Sequence, residues 1–550
     1  MIFVFIFSCL IILFTIPFAF SISNESNSSF YIFSKKLIFG VIFISFLAIT
    51  INFFYPLNVF ISSLIPLISL VILIKNKEKF FNTNFVKFLV ISGFLLTILI
   101  LESNVYRPDA GLYHLPFIGI LNTEKIIFGL SNLHFRYAHT SIIQYYAAIS
   151  NNFIFKDNGI VFAQGIIATA IIINFISQLH FYIKKENYNF HFYFLVYVII
   201  YVAYKMNRYS EYGNDAPAHF LVFFLISEVL ISKNKFNLDQ FLNNLILSLF
   251  IIQNKLTLML IVILSLIDIK KVNLNEIIFK KKFIFLNFFF LLWITKNLII
   301  SGCALYPLEY SCIKHLSWVN INDVIEVSKS SEAWTKGISD IDSEEGVSTE
   351  LFLSNFNWIN SWLSLHFKYI LKILFPYITI CLFVISILYY GSKRKIISKD
   401  RKTLIYFLVL LLCSIIWFYK SPMYRYGYSF IISLISFSLA YISLNFSINL
   451  KRQKNVLIFM VILSLSTLLI KNIYRIAYTK NNYNNYPWPK YYAMDNNNLP
   501  GKFKKEKLNN LEIIMPINGY CMYTKKICSH YEIDKNLQLK IRNKYIIFKN

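Results

Sequence analysis

Apolar residues run along this chain in blocks of roughly 15 to 25, separated by short polar stretches, and that spacing sets the first reading. A block of this length is about what a helix needs to cross the hydrocarbon of a bilayer, where about 20 residues suffice. Fourteen such blocks stand at 1–20, 37–54, 57–74, 85–102, 159–183, 190–204, 216–232, 240–252, 256–269, 283–301, 369–390, 403–419, 424–445 and 455–470. A buried soluble core accounts for one or two of them but not for the series. The pattern therefore predicts an all-α polytopic membrane protein with about 14 transmembrane helices. The pair at 240–269 is the shortest. The stretch from His139 to Phe155 is apolar and rich in Tyr and Ile, and it reads as a helix lying in the membrane interface. Residues 1–20 lack a basic leader and a small-residue cleavage site, so they read as a retained first helix.

Charge orders these blocks. The formal net charge is +26, and its Lys and Arg residues fall between the apolar blocks rather than on one face. That distribution follows the positive-inside rule and argues against a nucleic-acid surface. The clusters are Lys35-Lys36, Lys75/Lys77/Lys79, Lys184-Lys185, Lys233/Lys235, Lys270-Lys271 with Lys280 to Lys282, Lys393 to Lys402, and Lys451/Arg452/Lys454. With all of them on one side, the expected outside pieces are loop 103–158, loop 205–215, loop 302–366 and the tail 471–550. The chain then divides into N-terminal helices at 1–84, a transmembrane core at 85–470 and an outside tail at 471–550. Cysteines fall the same way: Cys303 and Cys312 share one outside loop, and Cys521 and Cys528 share the tail, which points to two local disulfides on an oxidising face. In the tail, alternating apolar residues around Ile513-Ile514-Met515 and Tyr545-Ile546-Ile547-Phe548 predict short strands.

Ionisable residues next to the blocks are the candidates for chemistry, because charge at that depth is costly unless paired or used. Tyr106-Arg107-Pro108-Asp109-Ala110-Gly111-Leu112-Tyr113-His114 follows one block directly. Asp109 is a candidate general base, although an Asp after Pro also starts helices well. Asp215, in Gly213-Asn214-Asp215-Ala216-Pro217, has the same two readings, and two carboxylates at one membrane level favour a shared site. Lys255, Lys296 and Arg425 interrupt apolar surroundings near the same level. Snorkelling to headgroups is the ordinary reading, and a binding site for a lipid-linked phosphate is the sharper one. Asn132, His134, Arg136 and His139 follow in the first outside loop without the spacing of a zinc site. The acidic stretch Asp340 to Glu350 reads as a solvated loop. The chain has no phosphate-binding P-loop, dinucleotide glycine fingerprint, G-x-S-x-G elbow or internal repeat.

The run Asp109-Ala110-Gly111-Leu112-Tyr113-His114, followed by Gly129-Leu130-Ser131-Asn132-Leu133-His134-Phe135-Arg136, resembles a family of bacterial multi-pass membrane proteins with a D-x-G-L-Y-H loop and then G-L-x-N-L-H-x-R. Lys255-Leu256-Thr257, Trp293 with Lys296, Leu305-Tyr306-Pro307, Arg425 after Pro422 and the Cys521/Cys528 pair continue the likeness, with Lys296 standing where Arg is expected. That family looks like the GT-C glycosyltransferases in architecture, such as protein O-mannosyltransferases and the aminoarabinose transferase of lipid A. The resemblance implies a membrane glycosyltransferase of the bacterial inner membrane, with its active face periplasmic. It would move a sugar from a polyprenyl-phosphate donor to a cell-envelope acceptor. Asp109 would serve as base, and Asp215 would assist it or help hold a divalent cation, the one cofactor this reading leaves room for. Tyr113, His114, Asn132, His134 and Arg136 would bind substrate, while Lys255, Lys296 and Arg425 would neutralise the leaving phosphate. Membrane lipid is the other expected partner. The competing expectations are a flippase or exporter, which would use the same charges for binding and proton coupling, and a polymerase of lipid-linked glycans.

Overall fold

A computed structural model describes the chain except for residues 22–28, 81, 103–107, 207–211, 234, 339–347, 391–392, 395–399, 448–449, 479–486, 493–500, 510 and 550. Arg107, most of the acidic stretch and residues 207–211 of the expected outside loop 205–215 lie outside the described residues. The chain is mostly helical. Its main helices are α1 (Ile2–Thr15), α2 (Phe30–Asn52), α3 (Leu64–Lys75), α4 (Thr83–Ile100), α5 (Leu115–Thr123), α6 (Ile143–Ile149), α7 (Phe162–Lys184), α8 (Phe190–Lys205), α9 (Asp215–Ser232) and α10 (Leu238–Asn254). They continue as α11 (Leu256–Leu266), α12 (Lys281–Ser301), α13 (Ile321–Lys336), α14 (Lys368–Tyr389), α15 (Arg401–Lys420), α16 (Tyr424–Leu444) and α17 (Leu450–Tyr478).

Among the described residues ten helices are long and apolar enough to cross a membrane, and three shorter apolar helices accompany them. The chain is thus a mostly helical membrane protein. The difference from fourteen comes from the blocks at 57–74, 190–204, 240–252 and 256–269. Residues 57–74 fold as a short turn leading into α3, α8 has 16 residues and α10 has 17. Helices of that length rise about 25 Å at about 1.5 Å per residue, against a hydrocarbon layer of about 30 Å. The 240–269 pair is divided at Lys255, whose backbone is extended and ends α10 before α11 begins.

Helix α7 forms the centre. It packs against α2, α4, α6, α8 and α9, and nearly all of its span is buried. By contrast α12, α14, α15 and α17 expose most of their apolar side chains, as lipid-facing helices do. The helix expected along the interface at 139–155 is instead α6, seven residues long with every side chain buried. Helices α2, α5 and α7 cover it, so its apolar pattern reflects protein packing rather than a membrane surface.

At one end of the bundle the basic clusters are drawn together by acids. Lys233 pairs with Asp400 (2.7 Å), and Lys271 and Lys402 both pair with Asp268 (2.8 and 2.9 Å). Lys35 is not solvated there. Its side chain is 4% exposed and sits 2.9 Å from Glu228, itself 2% exposed. Tyr31 and Gln240 donate to the two Glu228 oxygens at 3.0 and 2.7 Å.

At the other end lie the disulfides Cys303–Cys312 and Cys521–Cys528 and the folded tail. The tail holds two antiparallel hairpins. One pairs β1 (Phe503–Leu508) with β2 (Leu511–Pro516), and the other pairs β3 (Gln538–Arg542) with β4 (Tyr545–Lys549). The second pairs through Phe548 N–H with the carbonyl of Phe128 (2.9 Å).

A buried charge that loses its partner is far costlier than a pair removed together. Lys35→Met alone is expected to destabilise the bundle by about 3–5 kcal/mol, and Lys35→Met with Glu228→Leu to recover most of the loss. Thermal unfolding in detergent measures this; equal losses in the single and double variants would contradict the buried-pair reading.

Candidate functional site

Asp109 stands at the start of a π-helical turn, Ala110–His114, that leads into α5. Its side chain makes no capping bond. The carboxylate is spent on two guanidinium groups instead: Arg136 donates to Oδ1 at 2.7 Å and Arg425 donates to Oδ2 at 2.8 Å. Arg136 comes from the short helix Phe135–His139, where the His134 imidazole accepts from its backbone N–H at 3.1 Å. Arg425 comes from the first turn of α16, and its other amino group donates to the Tyr426 hydroxyl at 3.1 Å. Burial pushes the Asp109 carboxyl up, but Arg425, His114 and Arg136 outweigh it and hold it below the usual carboxylate range. It is therefore ionised throughout the neutral range.

The second carboxylate repeats the arrangement. Asp215 opens α9, and its Oδ1 is ion-paired to Lys255 at the break between α10 and α11. Asn214 Nδ2 donates to the Asn254 carbonyl at 2.6 Å and fixes α9 beside the break. Lys255 lies over the Tyr426 ring (4.1 Å) and reaches the carbonyl of Arg425 (3.5 Å), so the two ion-pair sets adjoin.

Both sets line one cavity of about 890 Å³ at the end of the bundle near the Cys303–Cys312 loop. Its lining holds seven of the ten residues expected to act in catalysis or binding: Asp109, Tyr113, His114, Arg136, Asp215, Lys255 and Arg425. Three stand elsewhere. Asn132 donates to the carbonyls of Trp318 (3.0 Å) and Phe548 (3.2 Å), which is a tie to the tail. His134 stacks on Tyr531 of the tail at 4.8 Å, and burial brings its pKa down to about 3, so it is a neutral packing ring. Lys296 is 3% exposed; its helix neighbours Trp293 and Asn297 face the cavity and it does not.

Two walls complete the site. One is apolar and starts beside Lys255: Ile252, Leu256, Met259 and Leu260 face Trp293 of α12 and Cys413, Ile416 and Trp417 of α15. Met259 and Ile416 also reach the outer surface of the bundle. The opposite wall is α13, which brings Ser328, Ser330, Ser331, Glu332 and Trp334. Trp334 is 47% exposed, and the Arg425 guanidinium stacks against it at 5.3 Å. This helix falls within the expected outside loop 302–366, where the sequence assigns its residues no chemistry. His114 and His139 line the cavity as neutral rings, since burial lowers each to about 4. Gln144 donates to His114 Nδ1 at 2.8 Å and fixes that ring. Among the described residues no three His, Cys, Asp or Glu side chains converge to hold a metal ion, and Asp215 is taken up by Lys255.

The tail holds the Asp109 turn in place. Met522 N–H donates to the Gly111 carbonyl (3.0 Å), and the Tyr137 hydroxyl donates to the Cys528 carbonyl (2.5 Å). Tyr523 donates to Asn122 on α5 at 3.1 Å. A Cβ at Gly119 would collide with the Thr524 carbonyl, so this contact requires glycine. These bonds flank the Cys521–Cys528 disulfide. Replacing both cysteines by serine is expected to raise amide exchange at Gly111–Leu115 and Met522 and to leave α7 protected. Hydrogen-exchange mass spectrometry measures this, and unchanged protection of the turn would contradict the clamp.

No curated protein and no solved structure matches the chain. One family model does, over residues 1–432, and its description is "Domain of unknown function (DUF8201)". Since that match spans well over half of the 550 residues, the chain belongs to the DUF8201 family.

Proposed function

We propose that this protein is a membrane glycosyltransferase of GT-C type that moves a sugar from a polyprenyl-phosphate donor to a cell-envelope acceptor. In this reading it lies in the bacterial inner membrane and works on the periplasmic face. One observation carries the proposal: the cations Lys255 and Arg425 stand at the head of an apolar wall that runs to the lipid-facing surface, with two carboxylates beside them. A ligand matching that surface has an anionic head and a long apolar chain. The carboxylates then need a role in the same cavity, and glycosyl transfer supplies one.

Lys255, Arg425 and Arg136 would hold the phosphate. As the bond from the anomeric carbon to the phosphate oxygen breaks, charge gathers on the phosphate, and fixed cations favour that state over the ground state. Asp109 would accept the proton of the acceptor hydroxyl. To do so it must give up one guanidinium, and the arriving phosphate competes for the same group. Asp215 would hold Lys255 in position until then. The exposed indole of Trp334 offers a flat face to a sugar ring. Lys296 has no part in this assignment, because it lies off the cavity.

A carrier of the same lipid-linked anion is the second reading, and the break between α10 and α11 favours it, since transporters bind at broken helices. The two readings diverge at Asp109. Asp109→Asn is expected to leave the protein in the membrane and to lower transfer of labelled sugar from a lipid-linked donor into the envelope fraction by about 10²–10⁴-fold. Full transfer by that variant would remove the base role. Loss of lipid translocation without loss of transfer chemistry would favour the carrier.

A further inference from the structure

One part of the cavity wall carries no ion pair, and its residues close into a ring. After Arg136 the chain runs through His139 and Thr140, and Ile142 N–H donates to the Gln253 carbonyl at 3.2 Å, which ties this stretch to the end of α10. Gln253 Nε2 in turn donates to the Phe289 carbonyl of α12 at 3.4 Å. Trp293 and Asn297 follow Phe289 at intervals of about one turn on α12. Asn297 Nδ2 donates to the Ala304 carbonyl at 2.8 Å, which fixes the disulfide loop beside it. From that loop the Tyr306 ring packs edge-on against His139 at 5.1 Å and completes the circuit. His139, Thr140, Gln253, Trp293, Asn297 and Tyr306 all line the cavity.

The polar groups of this ring are uncharged near neutrality. Burial holds the His139 imidazole neutral, and the charges acting on it, Arg136 and Asp109, are paired with each other at 2.7 Å. Lys255, two positions after Gln253, is paired with Asp215, and Lys296 of α12 is buried off the cavity. Two oxygens of the ring are unsatisfied. Thr140 and Gln253 are 6% and 2% exposed, and Thr140 Oγ1 and Gln253 Oε1 have no hydrogen-bond partner among the described residues. A buried oxygen left in that state costs stability, which a ligand's hydroxyl donors recover. We infer that this part of the cavity is a subsite for an uncharged sugar ring, held through its hydroxyls by Thr140, Gln253, Asn297 and His139 and bounded by Trp293 and Tyr306. A carboxylate or an ammonium on the ring would give up its hydration and meet no free counter-charge. The subsite adjoins Asp109 through His139, so it receives the acceptor, whose hydroxyl the base must reach. That assignment to the acceptor rests on the transferase reading above; the binding of a neutral ring does not.

The test uses the full-length protein in nanodiscs free of sugar detergent. The probes are the methyl glycosides of glucose, galactose and mannose, and saturation-transfer NMR reads their binding at pH 7. At least one of the three is expected to bind, and the uronic acid and 6-amino forms of that ring to bind more weakly. Thr140→Val and Gln253→Leu are each expected to weaken binding by about threefold to tenfold, the effect of one lost hydrogen bond. Thr140→Ser, which keeps the hydroxyl, is expected to retain it. Thr140→Val conserves the shape of the side chain and carries the test if Gln253→Leu does not fold. Binding of none of the three glycosides, or binding unchanged in Thr140→Val, overturns the subsite. Equal or tighter binding of a charged form overturns the uncharged class. The glycoside that binds is also expected to become labelled when a lipid-linked donor of labelled sugar is supplied. Transfer into the envelope fraction without labelling of the bound glycoside overturns the assignment to the acceptor. Absence of both transfers, with glycoside binding intact, overturns the transferase reading and leaves the subsite standing.

Discussion

The carboxylate of Asp109 is held between two guanidinium groups that arrive from distant parts of the chain, and the site depends on that clamp. Arg136 belongs to the first loop and Arg425 to the start of α16, 316 positions from Asp109. No local segment can form this contact, so the arrangement at Asp109 depends on the packing of α16. Lys255 and Asp215 add a second clamp against the carbonyl of Arg425. Four elements are thereby tied at one point: the π-turn, α9, the α10–α11 break and α16. Charges taken from water gain stability only where pairing and hydrogen bonding are close to complete, and Asp109, with a guanidinium on each oxygen, meets that condition.

The same constraint explains why the cavity is both charged and apolar. Helix α10 ends at Lys255 because the backbone there turns extended, and α11 restarts with Leu256. The break places a cation at the head of a wall built from Leu256, Met259 and Leu260. An unbroken helix would have buried those side chains against its neighbours or turned them toward lipid. The tail acts on the other side of the clamp. Met522 and Cys528 bond to the first loop, so the residues from Gly111 to Tyr137 are held from outside the bundle as well as from within.

Much of the fold was legible because hydropathy is a local property. The long blocks at 85–102, 159–183 and 283–301 became helices close to their expected limits. The blocks that failed to reach spanning length depended on non-local facts. Residues 139–155 look interfacial by composition, and only the cover provided by α2, α5 and α7 makes α6 a core helix. The candidate site was legible where residue type and depth coincided, as for Asp109, Asp215 and Lys255. Lys296 carried the same signal as Lys255, a lone cation among apolar residues, but helical phase turned it from the cavity while Trp293 and Asn297 face it. His134 and Asn132 belong to the same motif as Arg136, yet they serve the tail, which lies about 400 positions away. The wall from α13 carried no signal, because serines and a glutamate in a polar loop look alike whether they face solvent or a cavity.

The proposed role of this cluster is to receive a lipid-linked phosphate. A structure of the protein in nanodiscs with bound undecaprenyl monophosphate tests it most directly. The expected result is a phosphate within hydrogen-bond reach of Lys255 and Arg425, the polyprenyl chain along Met259 and Ile416, and Asp109 released from at least one guanidinium. A phosphate bound elsewhere, or a cavity that stays empty with both ion-pair sets intact at saturating lipid, would contradict it.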